Sequence, residues 1–183
     1  MKSLMNLRKQ SAARPLLADD IVEFHAARLL LLLHYCGVKN RISGLTKLAK
    51  LDFFVRYPTF FATACAHLNT TYQGVLAGVE SSMVRYHYGP WDQRYYHVLG
   101  YLEARRLISV EKSGKAFNFS LTPLGLTYAN RLAEDESFAE IVAQMVQVGT
   151  VLGKNSGTAL KNLVYELFGE EVAEREMGEV IVP

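Results

Sequence analysis

The sequence predicts a mainly α-helical protein with one small β-hairpin. Apolar residues recur at helical spacing through most of the 183-residue chain. The clearest break in that rhythm, residues 107–121, holds two short β-prone runs on either side of a Ser113-Gly114 turn. Half the residues are apolar, enough for one proper core but short for two independent domains.

Taken in order, Asp19 and Asp20 precede a run in which Ile21, Phe24, Leu29, Leu32 and Leu33 recur at helical spacing, and Gly37 follows Cys36 where a C-terminal cap belongs. Ser43 is the N-cap expected for a second helix carrying Leu45, Leu48, Ala49, Leu51 and Phe53, with Lys47, Lys50 and Asp52 interleaved, until Pro58 interrupts it. Residues 59–68 are apolar enough for a further short helix, ended by the turn formers Asn69, Thr70 and Thr71. Residues 72–84 have no clean period and read as loop or irregular helix. Gly89 then supplies a bend and Pro90 a helix start, for a helix running to about Arg106. Its core side collects Trp91, Tyr95, Val98, Leu99 and Leu102, whereas Arg94, Tyr101 and Arg105 share another side.

The hairpin follows, with strands expected over 107–111 and 117–121, Leu107 in the core and Lys112 and Lys115 as exposed turn charges. Thr122 caps the next helix and Pro123 opens it, ahead of Leu124, Leu126, Tyr128, Ala129 and Leu132. Two more helical stretches, 138–148 and 156–168, are joined through Gly149, Gly153 and Gly157. Met145, Val148, Val151 and Leu152, beside Leu160, Leu163, Val164 and Leu167, either close a helical hairpin on the rest or offer an apolar surface to another chain.

Helix, helix, long helix, two-stranded hairpin and returning helix is the order of a winged helix-turn-helix module. Residues 101–110, the turn, and the passage Phe119-Ser120-Leu121-Thr122-Pro123-Leu124-Gly125 resemble the helix-to-wing segment of winged-helix regulators over about residues 84–132. The expected division is a basic arm over 1–18, a winged-helix domain over 19–134, a C-terminal helical extension over 135–168 and an acidic tail over 169–183.

The net charge of +2 is unevenly spread. Residues 1–14 hold four basic and no acidic side chains, residues 37–131 hold twelve basic against five acidic, and residues 166–183 hold six glutamates against Arg175. Such asymmetry suits a polyanion at one place and a basic partner at another, or simply two solvated surfaces of opposite sign. No apolar run is long enough to span a bilayer and no secretory signal is indicated, so a cytoplasmic location without membrane contact is expected. Cys36 and Cys65 form no CxxC pair and read as buried small side chains in a reducing compartment.

A set of catalytic groups is harder to find. Asp19, Asp20 and Glu23 are explained by a helix N-terminus, and no HExxH pattern occurs. In Gly153-Lys154-Asn155-Ser156-Gly157, Asn155 stands where a phosphate loop needs a hydroxyl residue. Since no nucleophile, base and orienting group can be proposed, the chain reads as a binding subunit and not an enzyme, with no cofactor or metal.

The basic Arg14-Pro15-Leu16 arm, the two helices that follow, and the Tyr88-Gly89-Pro90-Trp91 segment resemble the small middle component of bacterial ABC-three-component defence systems, the Lamassu type included. That resemblance implies a non-catalytic winged-helix adaptor bridging an SMC-like ATPase subunit and an effector subunit in anti-phage or anti-plasmid defence. Partner contacts would fall on Tyr88, Trp91, Met145, Leu152, Leu160, Leu163 and Leu167. The alternative is a DNA-binding transcriptional regulator or antitoxin-like repressor, because Tyr88-Gly89-Pro90 and the residues after it also resemble a stretch of helical antitoxin-like domains. Arg94, Tyr101 and Arg105 would then face a groove, and Lys112 and Lys115 would approach phosphates.

Overall fold

The computed structural model describes residues 21–74, 82–87, 89–114, 116–169 and 176–181. Among these it is mainly helical, with small antiparallel sheets. The elements are α1 (Val22–Tyr35), β1 (Arg41–Ser43), α2 (Leu45–Arg56), α3 (Pro58–His67), β2 (Val84–Tyr86), β3 (Gly89–Trp91), α4 (Tyr95–Ala104), β4 (Ile108–Ser113), β5 (Ala116–Leu121), α5 (Pro123–Ala133), α6 (Ala139–Leu152) and α7 (Gly157–Leu167). No helix among the described residues is long and apolar enough to cross a membrane.

Both α1 and α2 are enclosed and not laid on a surface, α1 around a run of five leucines and α2 with four charged side chains among its buried residues. Leu29 to Leu33 are all buried, as is every residue of α2 from Lys47 to Arg56. Neighbours of α2 include α6, α7, α3 and β3, and α1 meets α4, α5 and α6. One core cluster therefore runs from Leu29 through Phe53 and Tyr95 to Met145 and Val164.

The predicted hairpin forms as β4 and β5, with Ile108 opposite Leu121 and Ser113 opposite Ala116, and Gly114 turns with φ 60°. Leu107 precedes the strand and packs, partly buried, against the core. A third strand extends the sheet. β1 pairs with β5, Arg41 opposite Ser120 and Ser43 opposite Asn118, so the strand order is β1-β5-β4. Ser43 is thus a strand residue and not the N-cap of α2; Gly44 takes that position without a side-chain bond. Thr122 does cap α5, its hydroxyl accepting from the Gly125 amide at 3.0 Å while Pro123 opens the helix.

One expectation is overturned around residues 84–94. Pro90 does not start a helix, because Gly89–Trp91 pairs with Val84–Tyr86 as a short antiparallel ribbon. Gly89 has φ 94°, a conformation that disfavours any side chain, and α4 begins only at Tyr95 after the Asp92 carboxylate accepts from the Arg94 amide at 2.9 Å. The segment expected as an acidic tail includes described residues that pair with this ribbon. Residues 176–181 return along β2, where the Ile181 amide donates to Met83 at 2.8 Å and Tyr57 donates to the Ile181 carbonyl at 3.0 Å, and the Ile181 side chain is buried.

Gly125 packs so closely on Leu107 that a Cβ would run into the Leu107 carbonyl, whereas Gly100 in α4 faces open space. Gly125→Ala is expected to cost about 1–3 kcal/mol by overpacking. Gly100→Ala is expected to stabilise by about 0.5–1 kcal/mol through helix propensity. Urea midpoints of the two variants measure the difference.

Candidate functional site

The charges of α2 are placed inside the protein. Asp52 is fully buried and accepts from Arg28 Nε of α1 at 3.0 Å, from the Tyr95 hydroxyl of α4 at 2.7 Å and from Arg56 Nη1 at 3.4 Å. Asp92, in the turn before α4, accepts from Arg56 Nη1 at 2.8 Å and from Arg94 Nε and Nη2, both at 2.8 Å. His25 of α1 places Nδ1 2.9 Å from Arg28 Nη1 and Nε2 2.8 Å from Arg94 Nη1. A neutral imidazole has one acceptor nitrogen, so it accepts from one guanidinium at a time. The cluster ties α1, α2 and the start of α4 together through four links, Arg28–Asp52, Tyr95–Asp52, Arg56–Asp92 and Arg94–His25.

Its electrostatics follow from these contacts. Burial opposes the ionisation of Asp92, but the hydrogen bonds from Arg94 and the charge of Arg56 outweigh it and hold the carboxyl well below the usual carboxylate range. Burial, then the charge of Asp52, push the Tyr95 phenol well above its ordinary value. All four oxygens of the two carboxylates are engaged by donors, which leaves neither free to act as a base on a ligand. Among the described residues no group of three His, Cys, Asp or Glu side chains could hold a metal ion.

Two concave regions lie nearby. A groove of about 460 Å³ runs between Phe24, Val55, Pro58, Phe138 and Ile141. Several of its polar side chains bond within the protein: Tyr72 donates to Gln144 Oε1 at 2.9 Å, Gln144 Nε2 donates to the Phe54 carbonyl at 3.0 Å, and Gln147 Oε1 accepts from the Gln73 amide at 2.9 Å. The second is a recess of about 170 Å³ between α2, the β2–β3 ribbon and the first turn of α4, lined by Leu45, Thr46, Ala49 and Lys50 and by Tyr86, Trp91 and Tyr96. Trp91 stacks on Tyr86 with ring centroids 5.6 Å apart and meets Tyr96 at 5.8 Å. Tyr86 is 41% and Tyr96 71% exposed. Lys50 is buried and donates to the Pro90 carbonyl at 3.1 Å.

The residues expected at a DNA interface are not brought together as one face. Arg94 is bonded to Asp92 and His25, with its side chain 31% exposed. Tyr101 is half-buried and donates to Glu23 at 3.3 Å, and the exposed Arg105 guanidinium lies 4.5 Å from the Tyr101 ring centroid. Lys112 is exposed on β4, and Lys115 lies outside the described residues.

The expected partner surface is corrected more sharply. Met145, Leu152, Leu160 and Leu163 are buried against α1 and α2 because α6 and α7 close the core, and Leu167 is half-buried beside them. Tyr88 lies outside the described residues, and Trp91 is half-buried in β3 instead of in a helical turn. Tyr96 and Lys50 were missed: Tyr96 adjoins the core residue Tyr95, and Lys50 reads as one charge of a solvated face. Comparison of the chain with family models, curated proteins and solved structures found no match.

Two outcomes follow for stability. Asp52→Asn leaves two buried guanidinium groups short of their carboxylate and is expected to cost about 3–5 kcal/mol in urea unfolding. Burial first, and the like charge of Lys161 second, push the Lys50 ammonium down to about 7. The unfolded chain keeps that proton up to about pH 10.4, so between these values it binds more protons than the folded protein, and stability contributed by this group rises with pH. The difference in unfolding free energy between wild type and Lys50→Met should therefore grow in favour of wild type from pH 7 to 10.

Proposed function

We propose that the chain is a non-catalytic winged-helix adaptor subunit that docks on other proteins. The SMC-like ATPase and effector of a bacterial anti-phage or anti-plasmid defence complex are the partners its resemblance implies. Supporting the winged-helix reading is the order α1-β1-α2, then α4-β4-β5, with β5 between β1 and β4. α3 and the β2–β3 ribbon are insertions between the second helix and the recognition position.

The observation that carries docking on protein is the outer face of α4. Its exposed residues Tyr96, His97, Gly100, Glu103 and Ala104 include an acid, and no lysine or arginine lies between Tyr95 and Ala104. Direct base readout relies on Arg, Lys, Asn and Gln, whereas protein interfaces favour exposed aromatic anchors. The docking face therefore belongs on α4 and the adjoining ribbon, since the apolar faces of α6 and α7 are consumed inside.

The regulator reading draws support from the exposed Lys39, Arg41, Arg105, Arg106 and Lys112 around the three-stranded sheet. The two readings separate by experiment. Co-purification from the native host in moderate salt should retain larger subunits, identified by mass spectrometry, and Tyr96→Ala with His97→Ala should release them without lowering the melting temperature. Recovery of a solitary, monodisperse protein that binds one operator sequence, and loses it on reversing the charges of Lys112 and Lys115, would put the regulator in the adaptor's place.

A further inference from the structure

We propose that the recess between α2, the β2–β3 ribbon and α4 receives an acidic, extended segment of the protein partner, with a carboxylate toward Lys50 and an apolar side chain against Tyr86, Trp91 and Tyr96. The inference rests on the adaptor reading and names the chemistry of what the adaptor holds.

Three observations combine. The recess volume, about 170 Å³, admits one or two side chains of an extended segment and not the face of a folded domain. Three aromatic rings wall it, with the most exposed one, Tyr96, at its mouth. Aromatic walls alone would equally suit a cation, by attraction to the ring faces. Charge decides between these: among the described residues no carboxylate lines the recess, and Lys50 does. Among the described residues that ammonium has one acceptor, the neutral Pro90 carbonyl, and no carboxylate partner. An incoming carboxylate would supply the missing countercharge, with the apolar side chain beside it covering the rings. A nucleic-acid strand would also bring negative charge, but sequence-tolerant strand binding uses a basic groove that follows the backbone over several nucleotides, and this recess of about 170 Å³ is too small for that.

The test uses the chain's single tryptophan, Trp91, whose emission reports directly on the recess. The full-length protein is titrated with a short synthetic peptide of alternating aspartate and phenylalanine, with the same peptide carrying lysine for aspartate, and with an oligothymidylate of matching length. The acidic peptide should give a saturable emission change, and the lysine peptide none. Tyr96→Ala, an exposed position that leaves the core intact, and Lys50→Met should each weaken binding by about tenfold, the loss expected for one charge-assisted hydrogen bond or one aromatic wall. Equal binding of the two peptides, unchanged affinity in both variants, or no saturable change with any probe would overturn the proposal. Tighter binding of the oligonucleotide, lost in Tyr96→Ala, would assign the recess to nucleic acid instead. Peptide binding without any co-purifying subunit would sink the adaptor reading and leave the recess standing. Subunits retained by both variants would do the reverse.

Discussion

Enclosing α2 on all sides is the constraint on which the rest of the structure depends. A helix carrying Lys47, Lys50, Asp52 and Arg56 cannot be buried unless each charge meets a partner, since an isolated buried ion costs several kcal/mol. The partners come from elements far apart in sequence: Arg28 from α1, Asp92 and Tyr95 from the start of α4, the Pro90 carbonyl from β3, and the Gly153 carbonyl, which accepts from Lys47 at 2.6 Å, from the end of α6. Each of these bonds fixes where a neighbouring element must lie. A core of leucine and phenylalanine alone would supply cohesion without that positional information.

The outer surface inherits its geometry from this interior. Asp92 holds Arg94 and Arg56 together, which sets the first turn of α4 against α1 and leaves Tyr96 pointing outward beside Trp91. The Lys50 bond to Pro90 holds β3 against α2 and so forms the floor of the aromatic recess. Returning residues 176–181 pin the other edge of the ribbon through Met83, Arg85 and Tyr57. A partner docking on α4 and the ribbon, as proposed above, would meet a platform already held in place, which would lower the ordering cost of binding.

Much of the fold was legible in the sequence where the signals are local. The hairpin over residues 108–121, the Thr122 cap with Pro123, and the apolar helices α1, α6 and α7 all follow from turn chemistry and period. Residues 84–94 were not legible, because a proline after glycine opens a helix or enters a short edge strand equally well, and three-residue strands show no period. The pairing that organises this region also reaches from Met83 to Ile181, a separation no local pattern reveals. For the site, the segment Tyr88-Gly89-Pro90-Trp91 stood out in sequence. The buried state of Lys50, Asp52 and Arg56 did not, since a solvated charged face and an internally paired one share the same spacing. The leucines of α6 and α7 likewise marked burial correctly but left open whether the burying partner was this chain or another.

The central claim is that the chain meets a protein at the outer face of α4. Its most direct measurement is site-specific photo-crosslinking in the native host, with benzoylphenylalanine placed at Tyr96 and, separately, at Lys112. The account predicts crosslinks from Tyr96 to a larger protein subunit. Crosslinks from both positions to DNA alone, with no protein captured at Tyr96, would contradict it.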